Sequence, residues 1–143
     1  MKKVLTILVF LIIAACGDNS NSVEQKNNYT NDDWEKYSMD IQNTFNAKCP
    51  MMIDKETRLD NIVCLDKSVA YNFTLVNTLK SNLTDEDILD FKTKQAKLMN
   101  NLVKTNPNMS YIKQFNLRLD YLYSDNQKNF ITMVSTSPNE YNN

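Results

Sequence analysis

Read by the spacing of its apolar residues, the chain divides into a short apolar leader, a polar stretch and a long remainder in which two periodicities alternate. In the first part of that remainder Trp34, Tyr37, Ile41 and Phe45 recur at spacings of three and four. They form one stripe on a helix that Asp32 or Asp33 can cap. Cys49 before Pro50 ends it, because the residue preceding a proline is pushed out of the helical conformation. Residues 58–65 are rich in Ile and Val, and beyond Asp66, Lys67 and Ser68 the odd positions Val69, Tyr71, Phe73 and Leu75 are all apolar. Period two marks a strand with one buried face, so these two runs predict a hairpin.

A second helix follows. Thr84 with Asp87 three residues on suits a capping box, and Asp85, Glu86 and Asp87 place negative charge where the helix dipole favours it. Ile88, Phe91, Gln95, Leu98 and Leu102 trace one face, widened by Met99 and Val103, while Lys92, Lys94, Lys97 and Lys104 populate the rest. Asn106 and Pro107 suit a fresh cap and first helical position, which predicts a short helix over residues 107–113. From there the alternation is the clearest in the chain: Phe115, Leu117, Leu119, Tyr121 and Tyr123 face one way, Asn116, Arg118, Asp120 and Ser124 the other. Residues 125–128 turn the chain and residues 130–135 return as the last strand. The order α-β-β-α-β-β predicts an α+β fold, with helices packed on one face of a four-stranded antiparallel sheet. One domain spans residues 32–136, and the polar residues 137–143 read as a frayed tail.

The leader changes the picture from a fold to an address. Lys2 and Lys3 precede a nearly unbroken apolar run to Ala15, the layout of a secretory signal and too short for a spanning helix of about 20 apolar residues. Ile13, Ala14, Ala15 and Cys16 resemble the bacterial lipobox, in which the Cys thiol receives a diacylglycerol and the peptide is cut before it. Residues 1–15 are then a lipoprotein signal peptide, and Cys16 is the lipidated N-terminus of a polar tether over residues 16–31. Two or three acyl chains anchor stably where one is marginal. Gly17 stands where enteric bacteria read an inner-membrane retention Asp, with Asp18 next, which favours the periplasmic face of the outer membrane. Some bacteria read later positions, so the inner membrane stays open.

Composition then removes function classes. There is no His, hence no Ser-His-Asp triad, no Cys-His pair and no imidazole metal site. A single Gly allows no Gly-rich phosphate cradle. Cleavage removes two of the 16 basic residues and none of the 17 acidic ones, leaving a formal charge of −3, which argues against nucleic acid. With Cys16 lipidated, Cys49 and Cys64 are the two remaining cysteines, and an oxidising compartment makes a disulfide between them the default. No cofactor or metal is expected.

Three patterns invite chemistry. Asp54, Glu56, Arg58 and Asp60 lie close together, which suits acid-base work by paired carboxylates or, more plainly, a polar loop entering a strand. Tyr71, Phe73, Tyr121 and Tyr123 suit a stacking platform or, in an acidic exported protein, a core with some tyrosine at a protein interface. The lysines of the second helix suit a solvated face or a partner's landing site.

Two resemblances bear on function. Cys-Pro-Met-Met-Ile-Asp-Lys-Glu-Thr-Arg-Leu-Asp from Cys49, followed by Tyr71-Asn-Phe-Thr-Leu75, resembles a group of small exported bacterial proteins with no established activity; here Cys49 replaces the usual Leu. Lys104-Thr-Asn-Pro107 and Tyr121-Leu-Tyr-Ser-Asp125 match the same group, without the paired cysteines common there. The lipobox, tether and element order are also similar to the β-type pilotin lipoproteins of type II secretion. That resemblance implies escort of an outer-membrane secretin, with a short secretin segment held between helix and sheet.

The sequence thus points to a non-catalytic, membrane-anchored lipoprotein whose periplasmic domain binds another envelope protein, in a pilotin-like assembly role. Exposed tyrosines and the Met51-Met52 loop are the expected contact points. The alternative is an immunity or exclusion lipoprotein that blocks a toxin or a conjugation apparatus; an enzyme ranks third. Replacing Cys16 by Ser is expected to leave the protein soluble in the periplasm and unlabelled by palmitate, as fractionation and metabolic labelling would read; membrane retention of that variant contradicts the anchor.

Overall fold

The computed structural model describes residues 30–143; the expected signal peptide, Cys16 and nearly all of the expected tether lie outside the described residues. Helix α1 spans Asn31–Asn46, and its cap is Thr30 rather than Asp32 or Asp33. The Thr30 hydroxyl accepts from the Asp33 amide at 3.2 Å, and the Asp33 carboxylate accepts from the Thr30 amide at 2.8 Å, a reciprocal box. After Cys49 and Pro50 comes a two-residue strand β1, Met51–Met52, then β2, Thr57–Leu65, and β3, Ser68–Leu75. Helix α2, Asp85–Thr105, begins at the expected Thr84–Asp87 box. Asn106 caps the turn Pro107–Met109, accepting from the Asn108 amide at 3.0 Å, and α3, Ser110–Gln114, follows. Strands β4, Arg118–Asp125, and β5, Phe130–Thr136, complete the sheet, and α4, Pro138–Tyr141, closes the chain.

The sheet departs from the expected one in two ways. It has five strands, in the order β1-β2-β3-β4-β5, and its β3–β4 pair is parallel. Two residues of β1 are too few to register as an alternation, yet Met51 and Met52 pair with Leu59 and Arg58. The parallel pair follows from the crossover: α2 carries the chain back along the sheet, so β4 starts at the end where β3 started. The β2–β3 and β4–β5 pairs are antiparallel, as expected, and the added β1–β2 pair is antiparallel too.

The tail is also ordered rather than frayed. Ser137 and Glu140 form a capping box around Pro138, and Tyr141 is 2% exposed. Its hydroxyl donates to the carbonyls of Leu117, at 2.8 Å, and Ile112, at 3.2 Å. One tyrosine thus pins the chain end onto the segment that leads into β4, a contact invisible to local pattern.

The core lies between one sheet face and the helices. Tyr71 stands beside Tyr121 and Phe73 beside Tyr123 across the parallel pair, all buried, with Val134 and Thr132 as their β5 neighbours. Phe91 of α2 meets Tyr123 edge-on, ring centroids 4.8 Å apart. Such pairs add about 0.5–1.5 kcal/mol each beyond the area they bury. Asp125, 1% exposed, organises the β4–β5 turn. Its carboxylate accepts from the amides of Lys80, Gln127 and Asn129 and from the Asn129 side chain. Burial alone would raise its pKa, and those four bonds reverse the sign and hold it at about 2.

Helix α1 does something different from α2. It runs along the outer edge of β2, beyond the point where β1 stops, and supplies the bonds that a longer strand would have supplied. Asn46 donates to the Ile62 carbonyl at 2.9 Å and accepts from the Ile62 amide at 2.8 Å. Gln42 accepts from the Cys64 amide at 3.1 Å, and the Trp34 indole donates to the Leu65 carbonyl at 3.0 Å. Asn46→Ala removes two of these bonds and leaves both Ile62 backbone groups without them. It is expected to cost about 1–3 kcal/mol in urea or thermal unfolding, while Asn43→Ala on the exposed flank stays within about 0.5 kcal/mol.

Candidate partner-binding surface

The acidic run in residues 54–60 does not converge on one place. The Asp54 carboxylate accepts from the amides of Glu56 and Thr57, both at 2.7 Å, and so builds the turn between β1 and β2. Glu56 is exposed to solvent. Arg58 and Asp60 form an ion pair at 2.6 Å. Asp60 also accepts from the Thr74 hydroxyl and the Lys128 ammonium, each at 2.6 Å. Burial pushes the Asp60 carboxyl up, and the bonds from Arg58, Lys128 and Thr74 outweigh it, leaving a net lowered pKa. A carboxylate so fully engaged is a structural ion, not a base with a free lone pair. Asp87, in the other acidic run, is held by the amide and hydroxyl of Thr84, as helix capping requires. Among the described residues no group of three or more His, Cys, Asp or Glu is placed to hold a metal ion.

The expected Cys49–Cys64 disulfide is not formed; both are free thiols. Cys49 lies in the turn before β1, whose residues pair with Leu59 and Arg58, while Cys64 lies near the other end of β2, where its amide donates to Gln42 of α1. Burial raises the Cys49 thiol pKa, with a smaller push from the Asp60 charge, and burial raises that of Cys64 to about 11.

The tyrosine set is core. Tyr71, Phe73, Tyr121 and Tyr123 are buried side by side and offer no stacking face. Their hydroxyls point inward: Tyr71 bonds Tyr111 at 2.7 Å, Tyr123 donates to Gln95 at 3.3 Å, and that of Tyr121 is buried without a partner. Burial raises the pKa of all four of these phenols, so they are neutral at any physiological pH.

What the domain leaves outside is apolar in three places. On α1, Asn46 and Gln42 occupy the flank at the β2 edge, so Tyr37 falls on the opposite flank, toward α3. Tyr37 is 40% exposed and caps an aromatic cluster, its ring 5.4 Å from Phe115, 5.6 Å from Tyr111 and 6.4 Å from Trp34. The second place is the sheet face opposite the helices, where Met52, Val63, Leu65, Phe130 and Met133 are exposed among the Asp60 and Asp120 ion pairs. The third is α2, where Leu89 and Leu98 are exposed on opposite flanks of its buried stripe. Of the expected contact points, Met52 is exposed and Met51 is partly buried. The signal that could have singled out Tyr37 is its place in the α1 stripe beside residues that bond the sheet edge.

The fold has relatives among solved structures. A protein of Pseudomonas aeruginosa described as secreted superposes with a TM-score of 0.60 at 7% identity, over 74% of this chain and 90% of that one. The pilotin EpsS of the Vibrio vulnificus type 2 secretion system gives 0.53 at 7% identity, over 75% and 90%. The type II secretion pilotin AspS of Vibrio cholerae gives 0.52 at 5% identity, over 77% and 94%. Identities so low show a shared fold and nothing finer. In sequence, the model of a domain of unknown function, DUF8479, matches residues 33–132, and no curated protein matches.

Alkylation in denaturant without reductant is expected to label both Cys49 and Cys64 of a Cys16→Ser protein. In the native protein, Cys64 labelling is expected to be slow near pH 8 and to rise about tenfold per pH unit toward its raised pKa, because only the thiolate reacts. Mass spectrometry finding an oxidised pair contradicts the free-thiol state.

Proposed function

We propose, for a chain that belongs to the DUF8479 family of domains of unknown function and shares the fold of two type II secretion pilotins, a non-catalytic role in the bacterial envelope. The protein is a lipoprotein acylated at Cys16, and its domain binds another envelope protein in the manner of an assembly factor. The observation that carries this reading is the aromatic cluster at the junction of α1 and α3. Tyr37 is held by rings on three sides and still open to solvent. A rigid tyrosine set in an apolar surround is the usual anchor of a protein interface, with large contact area and little rotamer entropy to lose. Pilotin-fold relatives favour the assembly role over the immunity or exclusion role, for which no feature of the domain speaks. The engaged carboxylates and the absence of histidine support a binding rather than a catalytic site.

The test places a photocrosslinking phenylalanine analogue at Tyr37 in intact cells. A discrete adduct with one envelope protein is expected, absent when the analogue replaces exposed Asn101 on α2. Tyr37→Ala is expected to weaken binding to that protein about tenfold or more, as loss of an interface anchor worth about 1–3 kcal/mol does. Unchanged binding, or no adduct, contradicts the reading.

A further inference from the structure

The two edges of the sheet are treated differently. At the β2 edge, β1 and three α1 side chains bond the backbone. At the β5 edge, β4 is the only strand neighbour, and among the described residues no side chain or loop bonds the β5 backbone from outside. The sequence of β5, Phe-Ile-Thr-Met-Val-Ser-Thr, contains no charge and no proline, two of the devices by which exposed edges repel unwanted strands. The one device present is a register shift opposite Tyr123 and Ser124, which leaves residues 132–136 as a regular open edge.

The flanks of this edge carry apolar side chains on both faces. Helix α2 packs over β5, and its Asn100 bonds the Thr136 hydroxyl. Leu89 and Ala96 lie eleven and four residues before Asn100, which puts all three on one helical stripe. Leu89 is 66% exposed on that stripe. On the opposite face of the sheet stand Phe130, 51% exposed, and Met133, 43% exposed, the latter beside Leu122. A strand laid along β5 would set alternate side chains against Leu89 and Ala96 on one face and against Met133 and Phe130 on the other.

We propose that the open edge of β5 is a docking rail for an extended segment of the envelope partner, uncharged and apolar at alternate positions, which adds as a sixth strand. The inference rests on the reading of the domain as an envelope-protein binder and names the surface and the kind of segment it takes. A second copy of this chain is not the occupant. Two β5 edges paired about a dyad would bring their α2 helices to about one strand spacing, 4.8 Å, where packed helices need about 8–10 Å. A bare strand carries no helix above it and meets no such collision. Main-chain bonds to residues 132–136 supply the affinity, and the two apolar flanks supply the selection.

The test selects 12-residue peptides from a random displayed library against the Cys16→Ser full chain, then maps the tightest synthetic peptide by amide hydrogen exchange. The expected binders are uncharged with alternating apolar residues, and they protect at least tenfold those amides of residues 132–136 that point away from β4. N-methylation of alternate peptide amides is expected to abolish binding. Met133→Lys, a change at an exposed position, is expected to weaken it at least tenfold, whereas Asn43→Ala on the exposed flank of α1 leaves it unchanged. Binders that protect α1 or the Tyr37 cluster instead, charge-rich binders, or a full chain that dimerises with residues 132–136 protected would each overturn the proposal. The two readings fail separately. If crosslinking at Tyr37 finds no envelope partner while peptides still pair with β5, the envelope-binder reading falls alone. If a partner is found and Met133→Lys does not affect its binding, the edge proposal falls alone.

Discussion

A β-sheet exposes two rows of unpaired amides and carbonyls, and something has to be done about each. In this domain the decisive step is the closing of the β2 edge by α1. Asn46 binds both backbone groups of Ile62, which is what the opposing residue of a neighbouring strand would do. Gln42 and Trp34 extend the substitution to Cys64 and Leu65. The placement of everything else on the helix side follows. Because α1 is fixed by directional bonds on one flank, its other flank is fixed too. Trp34 and Tyr37 then meet Phe115, and Tyr37 meets Tyr111, at the end of the domain where α3 leads into β4.

The core reached from that edge is polar for its size. Tyrosines stand where Leu or Phe would satisfy the hydrophobic requirement, and each brings a hydroxyl that has to find a partner in a dry place. Tyr71 and Tyr111 satisfy one another, Tyr123 uses Gln95 from α2, and Tyr141 uses the backbone carbonyls of Ile112 in α3 and Leu117 just before β4. These bonds tie sheet to helix and tail to helix at specific points. They restrict how the layers can slide, which apolar contacts alone do weakly. Tyr121, with no partner for its hydroxyl, is the one place in that row where the accounting is incomplete.

How much of this was legible in the sequence depends on the range of the interaction. The capping box at Thr84, the proline start at Pro107 and the alternation through Tyr121 and Tyr123 are local, and each stands where the pattern put it. The cap of α1 slipped from Asp32 or Asp33 to Thr30 because the Asp33 carboxylate serves the box from its third position. β1 was invisible because two residues carry no period. The parallel β3–β4 pair and the buried Tyr141 are long-range facts: one set by a crossover, the other by a hydroxyl that reaches carbonyls 29 and 24 residues back in the chain. The disulfide failed for a similar reason. Cysteine counting is blind to where the fold carries each thiol, and both are free here. As for the candidate site, the buried tyrosines were legible as core, whereas Tyr37 was read as one more member of the α1 stripe. Its exposure depends on which flank of α1 the edge of β2 claims.

The distribution of charge follows from the same geometry. On the helix-free face Asp60 and Asp120 are each held by an arginine two residues before them on the same strand, at 2.6 and 2.9 Å. Spacing of two keeps both partners on one face of a strand, so these pairs are built into the local sequence of β2 and β4. Lys128 then bridges from the β4–β5 turn to Asp60 and to Thr74 on β3, joining three parts of the sheet that are distant in sequence. The polar middle of that face is therefore locked by its own ions, and a partner would have to desolvate paired charges to use it. Toward β5 the face changes character, through Leu122 and Met133 to Phe130, and no ion pair lies along that strand. The region where burial costs least is thus also the region whose backbone is least occupied. Exposed apolar side chains and a five-residue open edge thus coincide along β5.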